Sequence, residues 1–101
     1  MSTRATICFK DRGDEFYVYC HCDGFPEDVL PEIQASIDMA IGRWSGGECG
    51  MLVTLFLEMH FDHTKSRLPD YHVSGGFAGD ESYRYLVEWD QKEKKWIAEV
   101  S

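Results

Sequence analysis

The residues with the most chemical capacity in this chain are crowded into one stretch, Tyr17-Val18-Tyr19-Cys20-His21-Cys22-Asp23-Gly24-Phe25-Pro26-Glu27-Asp28. It holds two thiols, an imidazole and three carboxylates. Read as metal chemistry, Cys20 and Cys22 are two residues apart. On a strand they project the same way, so both sulfurs can reach one ion. Cys49, or His60 with His63, would complete four ligands. Zinc sites, however, usually pair cysteines at Cys-x₂₋₄-Cys spacing, and Cys-x-Cys is not that spacing. Free cysteine is also among the most buried residue types. No metal ligand is therefore assigned.

Read as nucleophilic chemistry, Cys20 or Cys22 with His21 or His60 and Asp23 supplies the right residue types. Adjacent strand residues face opposite ways, so His21 is poorly placed to serve either neighbouring thiol. No Gly-x-Ser-x-Gly or other nucleophile motif occurs. Asp23, Glu27, Asp28 and Glu32 offer acid–base pairs, but acids at a helix start are already favoured by the helix dipole. Gly46-Gly47-Glu48-Cys49-Gly50 can be read as an anion cradle. It lacks the lysine of a P-loop, and Glu48 repels phosphate, so a simple interhelical loop is the plainer reading. A metal- or thiol-dependent enzyme centred on Cys20-His21-Cys22 stands as the alternative function. No catalytic residue and no cofactor is assigned.

These residues need elements to position them. Thr3 to Lys10 alternates Ala5, Ile7 and Phe9 against Thr6 and Cys8, as a strand does. Asp11-Arg12-Gly13-Asp14 reads as a hairpin loop, since Gly13 can take a positive φ. Glu15 to Cys22 is the second strand, with Phe16, Val18, Cys20 and Cys22 on one face and Tyr17, Tyr19 and His21 on the other. A turn follows at Asp23-Gly24. Leu30, Ile33, Ile37, Ala40, Ile41 and Trp44 then recur at helical spacing, predicting a helix from Val29 to Trp44 with Asp28 as N-cap and Pro31 in the first turn.

Gly50 to Asp62 fits either period: Leu52, Phe56, Met59 and His63 share a helical face, while Leu55, Leu57, Met59 and Phe61 alternate. Its length favours helix, since strands average about five or six residues. Tyr71 to Phe77 reads as a short strand weakened by Gly75 and Gly76. Ser82 to Trp89 and Lys95 to Val100 form a second hairpin. The order β-β-α-α-β-β-β predicts one α+β domain over residues 1–101, a two-layer sandwich with an antiparallel sheet and both helices on one face.

Composition narrows the function classes. The chain has 101 residues, 18 Asp plus Glu against 10 Lys plus Arg, and a net charge of -8. Phosphate backbones repel such a surface, so nucleic acid and anionic membrane are not expected partners. Mimicry of nucleic acid toward a basic partner is one reading of the charge, and plain solubility is the other. The opening residues lack the apolar core and cleavage site of a secretory signal. The apolar run from Met51 to Phe61 is too short to span a bilayer. A cytoplasmic location with four reduced cysteines is expected.

A two-layer fold leaves one sheet face uncovered. Tyr17 with Tyr19, and Tyr83 with Tyr85 and Trp89, form two aromatic sets. If both lie on the open face, they make a platform for a protein, a second copy of the chain or a flat ligand. If they face the helices, they are core, and the sequence leaves the two open. The leading expectation is a non-enzymatic protein-interaction module. Tyr17, Tyr19, Tyr83, Tyr85 and Trp89 would give apolar contact area, with His21, Asp23 and Glu27 setting polar specificity. A small ligand between sheet and helices is a third reading that no motif supports.

The opening Ser2-Thr3-Arg4-Ala5-Thr6-Ile7, the turn His21-x-Asp23-Gly24-Phe25-Pro26-Glu27, and Gly79-Asp80-Glu81-Ser82-Tyr83-Arg84-Tyr85 together resemble a group of short uncharacterised proteins of bacteria and their phages. The resemblance implies a bacterial or phage intracellular setting and attaches no activity, cofactor or catalytic residue.

Overall fold

The computed structural model describes residues 3–43, 47–60 and 71–101. Five strands and two helices follow the expected order: β1 (Ala5–Lys10), β2 (Glu15–Cys20), α1 (Pro26–Arg43), α2 (Cys49–Met59), β3 (Tyr71–Ser74), β4 (Tyr83–Asp90) and β5 (Lys95–Val100). The strands form one sheet in the order β3-β2-β1-β4-β5. The α+β class and element order match the sequence reading, and the segment after Gly50 is helical as its length required.

The sheet itself is mixed. β1 pairs antiparallel with β2 but parallel with β4, at Ile7↔Tyr85 and Phe9↔Val87. The expectation of an antiparallel sheet therefore fails at this one central pair. Local turns fix the two hairpins, whereas β1 and β4 are joined only through everything between them.

The register sorts every strand residue to a face. Ile7 lies opposite both Val18 and Tyr85, and Cys20 lies opposite Tyr71. Ala5, Ile7, Phe9, Val18, Cys20, Tyr71, Tyr85, Val87 and Trp96 form the core with Val29, Ile33, Ile37 and Ala40 of α1 and Cys49, Leu52, Val53, Leu55 and Phe56 of α2. Phe56 centres this packing, 5.5 Å from the Phe9 ring and 4.9 Å from Tyr71. Burying one such aromatic side chain is worth about 1.5–3 kcal/mol.

α1 begins earlier than its apolar spacing suggests. Pro26 opens the helix, where its missing N–H costs little. The Phe25 carbonyl accepts from the N–H groups of Asp28 and Val29, both at 2.9 Å. Asp28 is thus inside the helix rather than its cap, and Pro31 falls beyond the first turn. Ile41, expected on the buried face, is 68% exposed. Trp44 and His63 lie outside the described residues.

Two loops are held by means the sequence only half reveals. Gly13 does not take a positive φ. The hairpin loop is instead organised by Asp11, whose Oδ1 accepts from the N–H groups of Gly13 and Asp14, each at 2.8 Å. Asp11 Oδ2 accepts from the N–H of Cys49 at 2.7 Å, capping α2 from across the molecule. Of the segment read as an anion cradle or a simple loop, Gly46 lies outside the described residues, and Cys49 and Gly50 open α2, whose first N–H the Asp11 carboxylate already occupies. In the second turn Asp23 adopts φ 56°. Gly24 is needed there because a Cβ would sit 2.8 Å from Ala5 Cβ and 2.9 Å from the Thr3 carbonyl oxygen.

Candidate functional site

The two aromatic sets do not share a face. Tyr83, Tyr85 and Trp89 point toward the helices. Tyr85 is fully buried, and its hydroxyl donates to the Gly24 carbonyl at 2.5 Å. Tyr83 stacks on Tyr85 and meets Phe25. Trp89 packs edge-on against Trp96 at 5.3 Å. These three are core and core-edge residues, so the five-residue platform is corrected to its other half. The reason is register: Tyr85 is a cross-strand partner of Ile7, and Ile7 faces the helices.

Tyr17 and Tyr19 do lie on the open face, and the structure supplies them with neighbours far away in sequence. The chain leaving β3 recrosses the sheet over β2 and β1 before entering β4. Phe77 on this crossing strap meets Tyr17 edge-on at 5.2 Å. Asp80 accepts from the Tyr19 hydroxyl at 2.9 Å and pairs with Arg4 at 3.0 Å. The strap is anchored by Glu81, whose side chain is only 1% exposed. That carboxylate accepts from Thr6 Oγ1 at 2.7 Å, Ala78 N–H at 2.9 Å, Gly79 N–H at 3.2 Å and Arg84 Nε at 2.9 Å. Burial opposes its ionisation, but these donors outweigh that and hold its pKa below the usual carboxylate range. Thr6 faces away from the helices yet is completely buried, because the strap covers it.

Beside the strap an open groove of about 220 Å³ is lined by Cys8, Lys10, Glu15, Tyr17, Phe77 and Leu86. Arg84 closes over the Phe77 ring at 4.2 Å. At the other end of the same face, His21 and His72 bring Nε2 and Nδ1 to 2.6 Å, one ring donating and the other accepting. Tyr19 packs on both rings at 4.9 and 5.4 Å. Of the predicted polar residues, His21 joins this face. Asp23 is exposed in the turn, and Glu27 is exposed in the first turn of α1, in the other layer.

The thiol reading meets a different geometry from the one it assumed. β2 ends at Cys20, so Cys20 and Cys22 are not two residues of one strand face. Cys20 instead donates its S–H to the Cys22 carbonyl at 2.8 Å. Burial pushes the thiols of Cys20 and Cys49 up to about 12 and raises that of Cys8 as well. A nucleophilic cysteine needs the opposite shift. His60 turns to α1: its Nε2 lies 3.1 Å from the Glu32 carbonyl oxygen and its Nδ1 lies 3.7 Å from the Glu32 carboxylate. That carboxylate also accepts from the Tyr71 hydroxyl. This cluster clamps α1 to the end of α2 and to β3. Among the described residues no three His, Cys, Asp or Glu side chains are grouped to hold a metal ion.

Sequence reasoning missed Phe77, Glu81, Leu86 and His72. Leu86 was legible, since it alternates with Tyr85 and Val87 and must face opposite them. Glu81 carries no local signal at all. No protein-family model, curated protein or solved structure matches the chain. No described helix is long and apolar enough to cross a membrane.

Proposed function

We propose that this chain is a protein-interaction module that binds through the open sheet face. The observation that carries the reading is the groove beside the strap. Tyr17, Phe77, Cys8 and Leu86 offer an apolar floor and wall that the helices do not cover. Around it the basic groups are largely committed: Lys10 to Glu88, Arg84 to Glu81 and Arg4 to Asp80. Glu15, which lines the groove, has no such partner among the described residues. The partner that fits is a protein segment with one apolar side chain for the groove and Lys or Arg beside it. The acidic balance of the whole chain favours the same partner and speeds its approach. The bacterial or phage setting implied by the sequence resemblance belongs to this reading.

The thiol or metal enzyme is the weaker reading, because three of the four thiols are buried or raised in pKa and His60 serves the α1–α2 contact.

The test is selection from a random peptide library displayed against the immobilised protein. Wild type is expected to enrich peptides with an aromatic or aliphatic anchor flanked by basic residues. Leu86→Glu and Tyr17→Ala are expected to lose them while keeping the wild-type melting profile. Enrichment that survives both substitutions would refute the reading. Tyr85→Ala is the control for the core: it should unfold or strongly destabilise the domain.

A further inference from the structure

One edge of the sheet takes no strand partner among the described residues, and its sequence is self-complementary. β5 is the outermost strand beyond β4. The N–H of Ser101 donates to the Arg84 carbonyl at 2.8 Å, and Ser101 continues the antiparallel register in which Tyr85 faces Val100. Hydrogen-bonding direction alternates along an antiparallel strand. Lys95, Ile97 and Glu99 therefore spend their backbone groups on β4, and Trp96 and Ala98 aim theirs outward. No hydrogen bond from another described residue reaches those outward groups. Native edges are usually protected by Pro, bulges, short length or unmatched charge. β5 has six residues, no Pro, and exposed Ile97 (40%) and Val100 (42%).

We infer that β5 is a dimerisation edge that pairs antiparallel with β5 of a second copy, centred on Ile97. The register follows from the side chains. With Ile97 opposite its own symmetry mate, Lys95 lies opposite Glu99 of the second copy, and Glu99 opposite Lys95. Both pairs sit on the open face at non-hydrogen-bonded positions, where side chains approach most closely. Trp96 then faces Ala98 of the second copy, and these are the residues whose outward N–H and C=O groups need partners. Pattern and backbone agree on one register. Shifting the sum by two residues in either direction places Ile97 opposite Glu99 or opposite Lys95 and breaks both ion pairs. In the monomer neither Lys95 nor Glu99 has an ion pair among the described residues, which leaves both free to serve the second copy. Such a contact is isologous and closes after two copies. It would join two sheets into one and set the two open faces side by side. This inference rests on the edge alone and stands apart from the peptide-groove reading.

An interface of one strand is smaller than the standard size, so it is expected to be weak and to need concentrations of roughly 10–500 µM. The experiment is sedimentation equilibrium on the full chain over that range. Wild type is expected to shift toward twice the monomer mass. Lys95→Glu and Glu99→Lys each turn two attractive pairs into two repulsive ones, and each should weaken the dimer by roughly tenfold or more. The double variant Lys95→Glu/Glu99→Lys restores both pairs and should restore the dimer. Ala98→Pro removes an outward N–H without touching the β4 ladder and should give monomer. A wild-type monomer at every concentration would overturn the inference. So would a dimer indifferent to Ala98→Pro, or one that the double reversal fails to rescue.

Discussion

Asp11 holds its own hairpin loop together and caps the start of α2, 38 positions away, and removing its carboxylate should be costly in a defined way. Asp11→Ala leaves the N–H groups of Gly13, Asp14 and Cys49 without their acceptor. Losing the cap on α2 is worth about 1 kcal/mol. The two turn bonds add about 0.5–1 kcal/mol each. The sum is about 2–3 kcal/mol, or a fall of roughly 10–20 °C in melting temperature for a domain of this size. Asp11→Asn keeps an accepting oxygen but loses the charge, and about half of that loss is expected.

The pH dependence gives the sharper check. Burial opposes ionisation of Asp11, but the donated hydrogen bonds from Cys49, Gly13 and Asp14 win and lower its pKa from 3.8 to about 2. A lowered folded-state pKa means the unfolded chain binds the proton first as pH falls. The stabilisation is therefore complete above about pH 4 and drains away between 3.8 and 2. Solvent screening at this partly exposed site holds the charge-linked part to about 1 kcal/mol. Urea unfolding of wild type, Asp11→Asn and Asp11→Ala at pH 7, 4, 3 and 2 reads it directly. The gap between wild type and Asp11→Asn should be flat from pH 7 to 4 and narrow below that. A loss under about 0.5 kcal/mol at pH 7 for Asp11→Ala would refute the reasoning, as would an equal loss from Asp14→Ala.

Four further outcomes rest on the same geometry. Gly24→Ala pushes a methyl group against the Ala5 Cβ and the Thr3 carbonyl, and should lose about 2 kcal/mol or more in urea unfolding. Gly13→Ala, with open space around it, should stay within about 0.5 kcal/mol. Glu81→Ala strips the acceptor from Thr6, Ala78, Gly79 and Arg84. Amide exchange at Ala78 and Gly79 should accelerate, while that of the core strands changes much less; uniform acceleration would mean that the strap is not a separate unit. With a disulfide reagent at pH 8, Cys20 and Cys49 should label only as fast as the domain opens, because burial pushes both up to about 12. Prompt labelling of either in the folded protein would contradict that.

What the sequence exposes here is periodicity and local turns. The three- and four-residue spacing from Leu30 to Ala40 identifies α1, and the alternation from Tyr83 to Trp89 identifies β4. Alternation has no sign, however. It places Tyr83, Tyr85 and Trp89 on one face without saying which face the helices cover. The sign comes from the register, in which Ile7 lies opposite both Val18 and Tyr85. In β2 a hint was present: Val18 and Cys20 are the more apolar set, and Tyr17 and Tyr19 follow Glu15. The parallel β1–β4 pairing leaves no local mark, because no turn joins those strands. Asp11 reads as an ordinary loop residue, and its bond to Cys49 spans 38 positions.

The unforeseen parallel pair also explains why the open face is more than bare sheet. β3 sits at one edge and β4 lies beyond β1, so the chain must pass β2 and β1 to reach its place. It passes across the face the helices leave uncovered. A crossing segment there has no ladder to join, so its backbone polar groups need other partners. Glu81 supplies them, and its burial is tolerable because Thr6, Arg84 and two backbone N–H groups satisfy both oxygens. The same segment carries Phe77 to Tyr17 and Asp80 to Tyr19. Topology thus fixes the strap, one carboxylate holds it down, and the strap forms a wall of the groove. The open face acquires its shape from a connection that the strand order requires and that the contacts of Phe77, Asp80 and Glu81 place on that face.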